Sequence, residues 1–190
     1  EKVKFLHDLG VKKIIIMDSA GIFLPEDIKE IVSKIKNKFK IKVGFHGHNN
    51  LGSAVWNSVT ACSYGAEIID VSIKGFGAGA GNTQMDIFLT VLEKIGYQTN
   101  IKIDQIYKIA KNFPKLLEKE KIKYSNPFSE PKNIMSANYG LFSGFASKVD
   151  YFAEKFKLDD IKAFKAIGAK SLVAGQEDLI FNILNNLKKK

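Results

Sequence analysis

Two of the three histidines in the sequence lie one residue apart, in the stretch VGFHGHNNLG at residues 43–52. His46 and His48 end an apolar run typical of a β-strand, and residues i and i+2 of a strand project to the same face. Imidazole is a common ligand of divalent metals, so two rings on one face could occupy neighbouring positions on one ion. The spacing is equally compatible with two structural histidines that are hydrogen-bonded to nearby loops.

The elements that would position these side chains alternate between two patterns. Three apolar runs, VKKIIIMDSAG, IKVGFHGHNN and AEIIDVSIKGFGAG, end in polar or small residues. Helical patterns separate and follow them, in PEDIKEIVSKIKNKF, GSAVWNSVTACSYG and TQMDIFLTVLEKIG. This order predicts β-α-β-α-β-α with parallel strands buried on both faces. Asp18 and Ser19, at the end of the first run, are candidates for binding a substrate carboxylate or a metal, and a structural cap is an equal alternative for Asp18.

The third run ends in the glycine-rich stretch GFGAGAGN at residues 75–82. Ala80 stands where a dinucleotide-binding fingerprint needs its last glycine, so that fingerprint is absent. The loop follows a strand and precedes a helix, and its backbone N–H groups could bind a phosphate or a carboxylate. A tight turn that brings helix and sheet close together explains the glycines as well.

The second half of the chain reads as helical from about residue 101. We expect a helix interrupted near Pro114, a loop at residues 127–131, one long helix over residues 133–156 and two shorter helices at the end. The change in pattern predicts two domains, at residues 1–98 and 99–190.

Composition excludes several classes of protein. The net charge is +9, but every cationic side chain is lysine, and specific nucleic-acid recognition relies on arginine, so we expect no nucleic-acid partner. No stretch has the length and hydrophobicity of a membrane span. Cys62 is the only cysteine, which rules out an intramolecular disulfide and favours the cytoplasm.

The stretch from His46 to Asn82 resembles the metal-binding strand and glycine loop of a superfamily of pyruvate-handling metal aldolases and acyltransferases. That superfamily includes isopropylmalate synthase and hydroxymethylglutaryl-CoA lyase. The matching residues are His46, His48, Asn49, Gly52, Asn57, Gly75, Gly77, Ala80, Gly81 and Asn82. Asn50 stands where aspartate is usual. KSLVAGQEDLIFNIL, at residues 170–184, resembles the end of the 4-hydroxy-2-oxovalerate aldolases.

The resemblance implies an α/β fold class, with the last three βα units of a TIM (β/α)8 barrel followed by an all-helical C-terminal communication domain. Three units cannot close a barrel of eight, and the chain opens in a helix-like pattern. We therefore expect this chain to be the C-terminal portion of a longer protein and to be inactive by itself. The family's third metal ligand, an aspartate, and its catalytic arginine and histidine belong to motifs that this chain lacks.

The resemblance also implies a divalent-metal-dependent aldolase that cleaves 4-hydroxy-2-oxovalerate-type 2-keto acids to pyruvate and a small aldehyde. The metal would be manganese first, with magnesium or cobalt as alternatives. The family aligns a catalytic tyrosine with Phe142. Either Tyr139 replaces it from the same face of the long helix, or this chain lacks that group. The residues so implied are His46 and His48 for the metal, Ser19, Asn50, Gly77 and Asn82 for the substrate, and Tyr139 for catalysis.

Partners and alternative functions follow from the same resemblance. The helical domain would contact an acylating acetaldehyde dehydrogenase, the protein would be an oligomer, and it would act in aromatic hydrocarbon catabolism. One alternative is an acyl-CoA condensing enzyme or a hydroxyacyl-CoA lyase of the same superfamily. Another is a non-catalytic assembly module.

Overall fold

The computed structural model describes residues 1–122 and 130–188. These ranges contain three strands, β1 (Lys13–Asp18), β2 (Lys42–Gly47) and β3 (Ile68–Asp70), in one parallel sheet of order β1-β2-β3. The helices are α1 (Lys2–Asp8), α2 (Pro25–Lys38), α3 (Ala54–Ser63), α4 (Met85–Lys94), α5 (Ile103–Lys119), α6 (Pro131–Asn138), α7 (Ala146–Phe156), α8 (Asp160–Gly168) and α9 (Glu177–Lys188). The predicted alternation of parallel strands and helices is confirmed. The predicted loop at residues 127–131 lies mostly outside the described residues.

The sheet buries one face against α2 and α3. The strand residues that pack there are Ile14, Ile16, Val43, Phe45 and Ile69. Phe45 and Val43 are fully buried, and burying such a side chain stabilises the fold by about 1.5–3 kcal/mol. On the opposite face of β1, Ile15 and Met17 remain 39% and 58% exposed. The prediction of strands buried on both faces is therefore wrong for β1, because the described elements leave this side of the strand open to solvent.

The helices α6 to α9 pack around an apolar cluster of their own. Its fully buried members include Phe145, Val149, Phe164, Ile180 and Leu184. Asp159 caps α8 by accepting the backbone N–H of Lys162 at 2.9 Å, which satisfies one of the donors left free at a helix start. Among residues 1–122 and 130–188, no helix has the length and apolar character needed to span a membrane.

The long helix predicted over residues 133–156 is wrong. α6 ends at Asn138, Gly140 adopts a left-handed φ of +67°, and a 3₁₀ turn at Ser143–Phe145 precedes α7. The backbone N–H of Ser143 donates to the carbonyl oxygen of Ser19 rather than to a helical partner. The chain breaks here because a glycine tolerates the left-handed turn and because Ser143 bonds to another part of the molecule.

α5 continues through Pro114 without interruption, so the predicted break near that residue is wrong. Its buried residues, Ile106, Ala110 and Leu117, lie on both sides of the proline, and this packing offsets the one helical hydrogen bond that proline cannot make. Ile106 shares an apolar cluster with residues of α4. The domain boundary between residues 98 and 99 stays a prediction. α4 precedes this boundary and α5 follows it, and the two helices pack against each other.

Ser143 and Asn50 connect the helical half to the loops that follow the strands. The backbone N–H and the hydroxyl of Ser143 both donate to the Ser19 carbonyl oxygen, each at 2.9 Å. The side-chain amide of the fully buried Asn50 donates to the Ser143 hydroxyl at 2.9 Å and to the Ala20 carbonyl at 3.0 Å. Its amide oxygen accepts the backbone N–H of Ala80 at 3.1 Å. One amide therefore joins the loops after all three strands to the helical half.

We expect Asn50→Asp to lower the free energy of unfolding by at least about 2 kcal/mol, because a carboxylate oxygen would replace the buried donor that faces the Ala20 carbonyl. Urea denaturation measures this loss. Asn112→Asp on α5 is the matched control, because Asn112 is exposed and its change should stay within about 0.5 kcal/mol. Equal losses in the two variants would contradict the role of the Asn50 amide.

Candidate functional site

The two histidines predicted as a pair lie together at the carboxyl end of β2. His46 belongs to the strand, and His48 follows directly and pairs with Asn82 in a short antiparallel bridge. Their ring centroids are 5.2 Å apart with an edge-to-face orientation. The structure thus brings both rings to the edge of the sheet where α/β proteins build their sites.

His46 contacts side chains on both of its ring nitrogens. Its Nδ1 lies 3.2 Å from the Asp70 carboxylate, and its Nε2 lies 3.3 Å from the amide nitrogen of Asn82. Asp70 was not among the residues predicted from the sequence. The signal for it was the stretch EIIDVSI, since an aspartate near the end of β3 lies beside the end of β2 once the strands are paired in parallel.

His48 is almost fully buried, with its Nδ1 3.4 Å from the carbonyl oxygen of Ala78. Burial lowers the pKa of His48, and the neighbouring His46 lowers it further, while the contact with Ala78 opposes these effects. The environment therefore favours the neutral imidazole, which is the form that can bind a metal.

The side chain of Asp18, at the end of β1, is bound by backbone groups of the turn that follows the strand. Its carboxylate is buried and accepts the backbone N–H groups of Ile22 at 2.9 Å and Phe23 at 3.1 Å. Burial raises the pKa of Asp18, and these hydrogen bonds lower it. Both carboxylate oxygens thus hold the turn that leads from β1 towards α2.

Ser19 and Asn50 follow β1 and β2 at the carboxyl end of the sheet, which carries the two histidines and is called the histidine edge here. Both residues are hydrogen-bonded to Ser143. Ser19 offers its carbonyl oxygen to Ser143, and the amide of Asn50 is occupied by protein groups on both its nitrogen and its oxygen. The predicted contacts of Ser19 and Asn50 with a substrate stay predictions.

Gly77 and Asn82 face each other across the glycine loop. A Cβ added to Gly77 would come within 2.0 Å of the Asn82 amide oxygen, so a side chain at position 77 would force the Asn82 side chain out of its present place. That amide oxygen is buried and has no hydrogen-bond partner among the described residues. An unsatisfied buried acceptor is costly, and it suits a group that a bound ion or substrate would contact.

Tyr139 and Phe142 lie in the break between α6 and α7, so they do not share the face of one helix as predicted. Tyr139 packs against the α6–α9 cluster, and its carbonyl oxygen lies where a Cβ on Gly168 would meet it. The ring that contacts His48 belongs to Phe142, at a centroid distance of 6.2 Å. A catalytic role for Tyr139 stays a prediction.

The side chains at this edge fit part of the coordination shell of a divalent ion. With Nδ1 of each histidine facing an acceptor, the two Nε2 atoms are the possible ligands, and an ion on Nε2 of His46 would displace the Asn82 amide nitrogen that now lies 3.3 Å from it. Within residues 1–122 and 130–188, no group of three or more His, Cys, Asp or Glu side chains is placed to hold a metal. Two imidazoles suit manganese, magnesium or cobalt but do not complete a shell.

Solved structures show the same fold. The carboxyl transferase domain of Rhizobium etli pyruvate carboxylase superposes with a TM-score of 0.80 over 98% of this chain and 33% of its own, at 14% identity, which shows similarity of fold alone. A hydroxymethylglutaryl-CoA lyase from Acinetobacter baumannii, solved with coenzyme A and 3-methylmalate, has a TM-score of 0.57 over 62% of this chain and 41% of its own, at 27% identity.

Curated relatives match along the whole chain. Proteins named 4-hydroxy-2-oxovalerate aldolase are 41% identical over 190 residues in Pectobacterium atrosepticum, covering 100% of this chain and 54% of the relative. The Burkholderia pseudomallei protein of that name is 36% identical over 188 residues, covering 99% of this chain and 53% of its own. The chain therefore spans about half the length of the curated relatives it matches. The resemblance to a portion of these aldolases is confirmed.

Two family descriptions cover the two halves of the chain. Residues 127–189 match the DmpG-like communication domain. Residues 1–112, more than half of the chain, match the HMGL-like family. Together with the three βα units, these matches confirm the predicted fold class of a partial barrel followed by a helical communication domain. The chain belongs to the HMGL-like family.

Proposed function

We propose that the protein is a divalent-metal-dependent aldolase that cleaves 4-hydroxy-2-keto acids, such as 4-hydroxy-2-oxovalerate, to pyruvate and a small aldehyde. The observation that carries the proposal is the pair of histidine rings 5.2 Å apart at the carboxyl end of β2, in a chain whose relatives are named for this reaction. The proposal assigns the activity to the whole protein. This chain spans about half the length of the relatives that carry this name. It includes a cytoplasmic location and a part in aromatic hydrocarbon catabolism.

His46 and His48 would hold the ion through their Nε2 atoms, with manganese as the first candidate and magnesium or cobalt as alternatives. When bound, the ion supplies a Lewis acid that stabilises negative charge on a 2-keto acid. The neutral state favoured for His48 keeps its lone pair available. The chain's excess of lysines gives a weak general attraction for anionic keto acids.

The remaining residues at the edge would position the substrate and limit water. Asn82 contacts His46 through its amide nitrogen and has a buried amide oxygen without a partner among the described residues, and Ser19 follows the end of the neighbouring strand β1. Gly77 leaves the space that Asn82 occupies. Phe142 contributes an apolar ring against His48, which would exclude water from one side of the site. In this arrangement the fully buried amide of Asn50 supports the loops that carry the other residues of the site.

We expect the whole protein to release pyruvate from 4-hydroxy-2-oxovalerate and to form no product from acetyl-CoA and 2-keto acids. A coupled lactate dehydrogenase assay measures pyruvate, and a thiol assay measures free CoA. Chelation with EDTA should remove the activity, and added Mn²⁺ should restore it. His46→Ala should lower kcat/KM by on the order of 100-fold or more, because it removes a ligand of the ion.

Three outcomes would overturn the proposal or part of it. CoA release without pyruvate release would instead support an acyl-CoA enzyme of the same family. No turnover of either substrate pair would support the assembly-module alternative. Activity in His46→Ala that keeps an unchanged dependence on Mn²⁺ would remove this histidine from the metal site. Lys36→Ala is a matched control, because Lys36 pairs with Glu67 on the opposite side of the sheet from His46 and should leave turnover unchanged.

Tyr139 and Phe142 provide a second test of the site. Because Phe142 and not Tyr139 contacts His48, we expect Tyr139→Phe to leave kcat within about twofold of the original protein, a change of under 0.5 kcal/mol by the usual conversion of rate to energy. Phe142→Ala should lower kcat/KM more strongly, since it opens His48 to solvent. A loss of kcat of tenfold or more in Tyr139→Phe, with KM unchanged, would instead establish Tyr139 as a catalytic residue.

The helical half is proposed to contact an acylating acetaldehyde dehydrogenase. Its match to a communication domain supports this, and so does an exposed aromatic surface on α7 and α9. This α7–α9 surface consists of Tyr151 and Phe181, which are 55% and 42% exposed, and the partly buried rings of Phe152 and Phe156, which pack against the α6–α9 cluster. Exposed aromatic side chains of this kind often dominate binding energy at protein interfaces.

We expect the double variant Tyr151→Glu, Phe181→Glu to weaken binding to the dehydrogenase by at least about tenfold, because it places charge in an apolar contact. Surface plasmon resonance with the purified dehydrogenase measures the Kd. Tyr107→Glu on α5 is the control, because Tyr107 is 66% exposed but lies outside the α7–α9 surface. An unchanged Kd in the double variant, or an equal loss in the control, would exclude this surface as the contact.

A further inference from the structure

We propose that Asp70 is a positioning residue that fixes the tautomer and the ring orientation of His46, so that Nε2 is the nitrogen offered to a metal. This inference rests on the metal site of the proposed function. It adds to that site a side chain that touches neither the ion nor the substrate.

The parallel register of the sheet places Asp70 beside His46. The Cα atoms of His46 and Asp70 are direct partners in the pairing of β2 with β3. Directly paired residues project from the same face of a sheet, and the Asp70 carboxylate lies 3.2 Å from Nδ1 of His46. Because backbone hydrogen bonds of the sheet set this pairing, the contact does not depend on the path of the surrounding loops.

The chemistry of the two neighbours of His46 selects one tautomer. An ionised carboxylate only accepts hydrogen bonds, so Nδ1 must carry the hydrogen that points to Asp70. On the other nitrogen, the amide N–H of Asn82 at 3.3 Å donates to Nε2, which must therefore carry the lone pair. Both neighbours require the same tautomer, and it is the one in which Nε2 can bind a metal.

The alternative role for Asp70, as a direct ligand, does not fit this placement. The two ring nitrogens of imidazole point in different directions, and Asp70 occupies the Nδ1 side. An ion bound to Nε2 would lie on the side of the ring where Asn82 sits. Asp70 is therefore placed to act through His46.

Asp70 also offers a way to change one histidine without changing the other. His48 has its Nδ1 against a backbone carbonyl, that of Ala78, which no side-chain substitution removes. The Asp70 side chain is 44% exposed, so its pair with His46 contributes little to folding stability. The effect of substituting Asp70 should therefore appear in the state of the His46 ring rather than in unfolding.

The tautomer can be measured directly in the metal-free, ¹⁵N-labelled chain by long-range ¹H–¹⁵N NMR at about pH 8, above the ordinary range of histidine titration. We expect the original chain to show His46 with hydrogen on Nδ1. Because the Asn82 amide also favours hydrogen on Nδ1, the Asp70 variants are compared in an Asn82→Ala background, which by itself should keep hydrogen on Nδ1. In that background Asp70→Ala should convert at least half of the population to hydrogen on Nε2, and Asp70→Asn, which keeps an acceptor oxygen, should give an intermediate population. Glu67→Ala is the matched control, because this carboxylate bonds to Val43 rather than to a histidine and its removal should leave the tautomer unchanged.

Metal affinity gives the second readout. Calorimetric titration of the same proteins with Co²⁺ and Mn²⁺ should show binding about 10–100-fold weaker in Asp70→Ala, intermediate in Asp70→Asn and unchanged in Glu67→Ala. Circular dichroism checks that the variants fold, and Asp70→Asn carries the test if Asp70→Ala does not fold.

The outcomes separate this inference from the proposed function. An unchanged His46 tautomer when Asp70→Ala is added to Asn82→Ala overturns the positioning role, and so does unchanged metal affinity in Asp70→Ala when His46→Ala abolishes binding. A tautomer change in a protein that binds no metal supports the control of His46 by Asp70 but overturns the metal dependence. Complete loss of binding in Asp70→Asn with an unchanged tautomer would make Asp70 a ligand and overturn the positioning role.

Discussion

The arrangement of the site depends on one buried amide. Asn50 uses both its donors and its acceptor on protein groups, and these groups belong to the loops after β1 and β3 and to the helical half. No water can replace these contacts at a fully buried position without opening the structure. The glycine loop adapts to this amide, since a Cβ on Gly79 would meet the Asn50 amide oxygen at 2.8 Å and the Ser143 side chain at 2.9 Å. Asn50 thereby fixes the distance between the two halves of the chain at the histidine edge.

This link makes the helical half part of the site. The segment that Ser143 fastens to Ser19 also carries Phe142, whose ring contacts His48, and Phe145, which is fully buried in the α6–α9 cluster. Phe142 and Phe145 are themselves in contact, with ring centroids 5.2 Å apart. A chain of packed rings therefore runs from a candidate metal ligand into the core of the region that matches a communication domain. The geometry of His48 and the packing of that region cannot vary independently.

Features set by local sequence pattern could be predicted from the sequence. Features set by contacts between distant segments could not. The order of strands and helices followed from apolar periodicity, and the closeness of His46 and His48 followed from their spacing on a strand. Asp70 was missed because its role appears only when β3 is aligned with β2, and a single sequence does not state that register. The break between α6 and α7 was missed because the cause is a hydrogen bond from Ser143 to a residue 124 positions away. Helical propensity on both sides of Gly140 concealed it.

The two histidines are held by different kinds of support, and this difference shapes what the site can do. His46 contacts Asp70 across paired strands and Asn82 of the glycine loop. His48 lies beyond the end of β2 and takes its orientation from the carbonyl of Ala78, in a glycine loop whose path depends on Asn50. Phe142 joins His48 directly to the helical half, and Asn50 joins the glycine loop to Ser143, whereas His46 contacts Asp70 of β3 and Asn82 of that loop. The helical half therefore contacts the candidate site at His48.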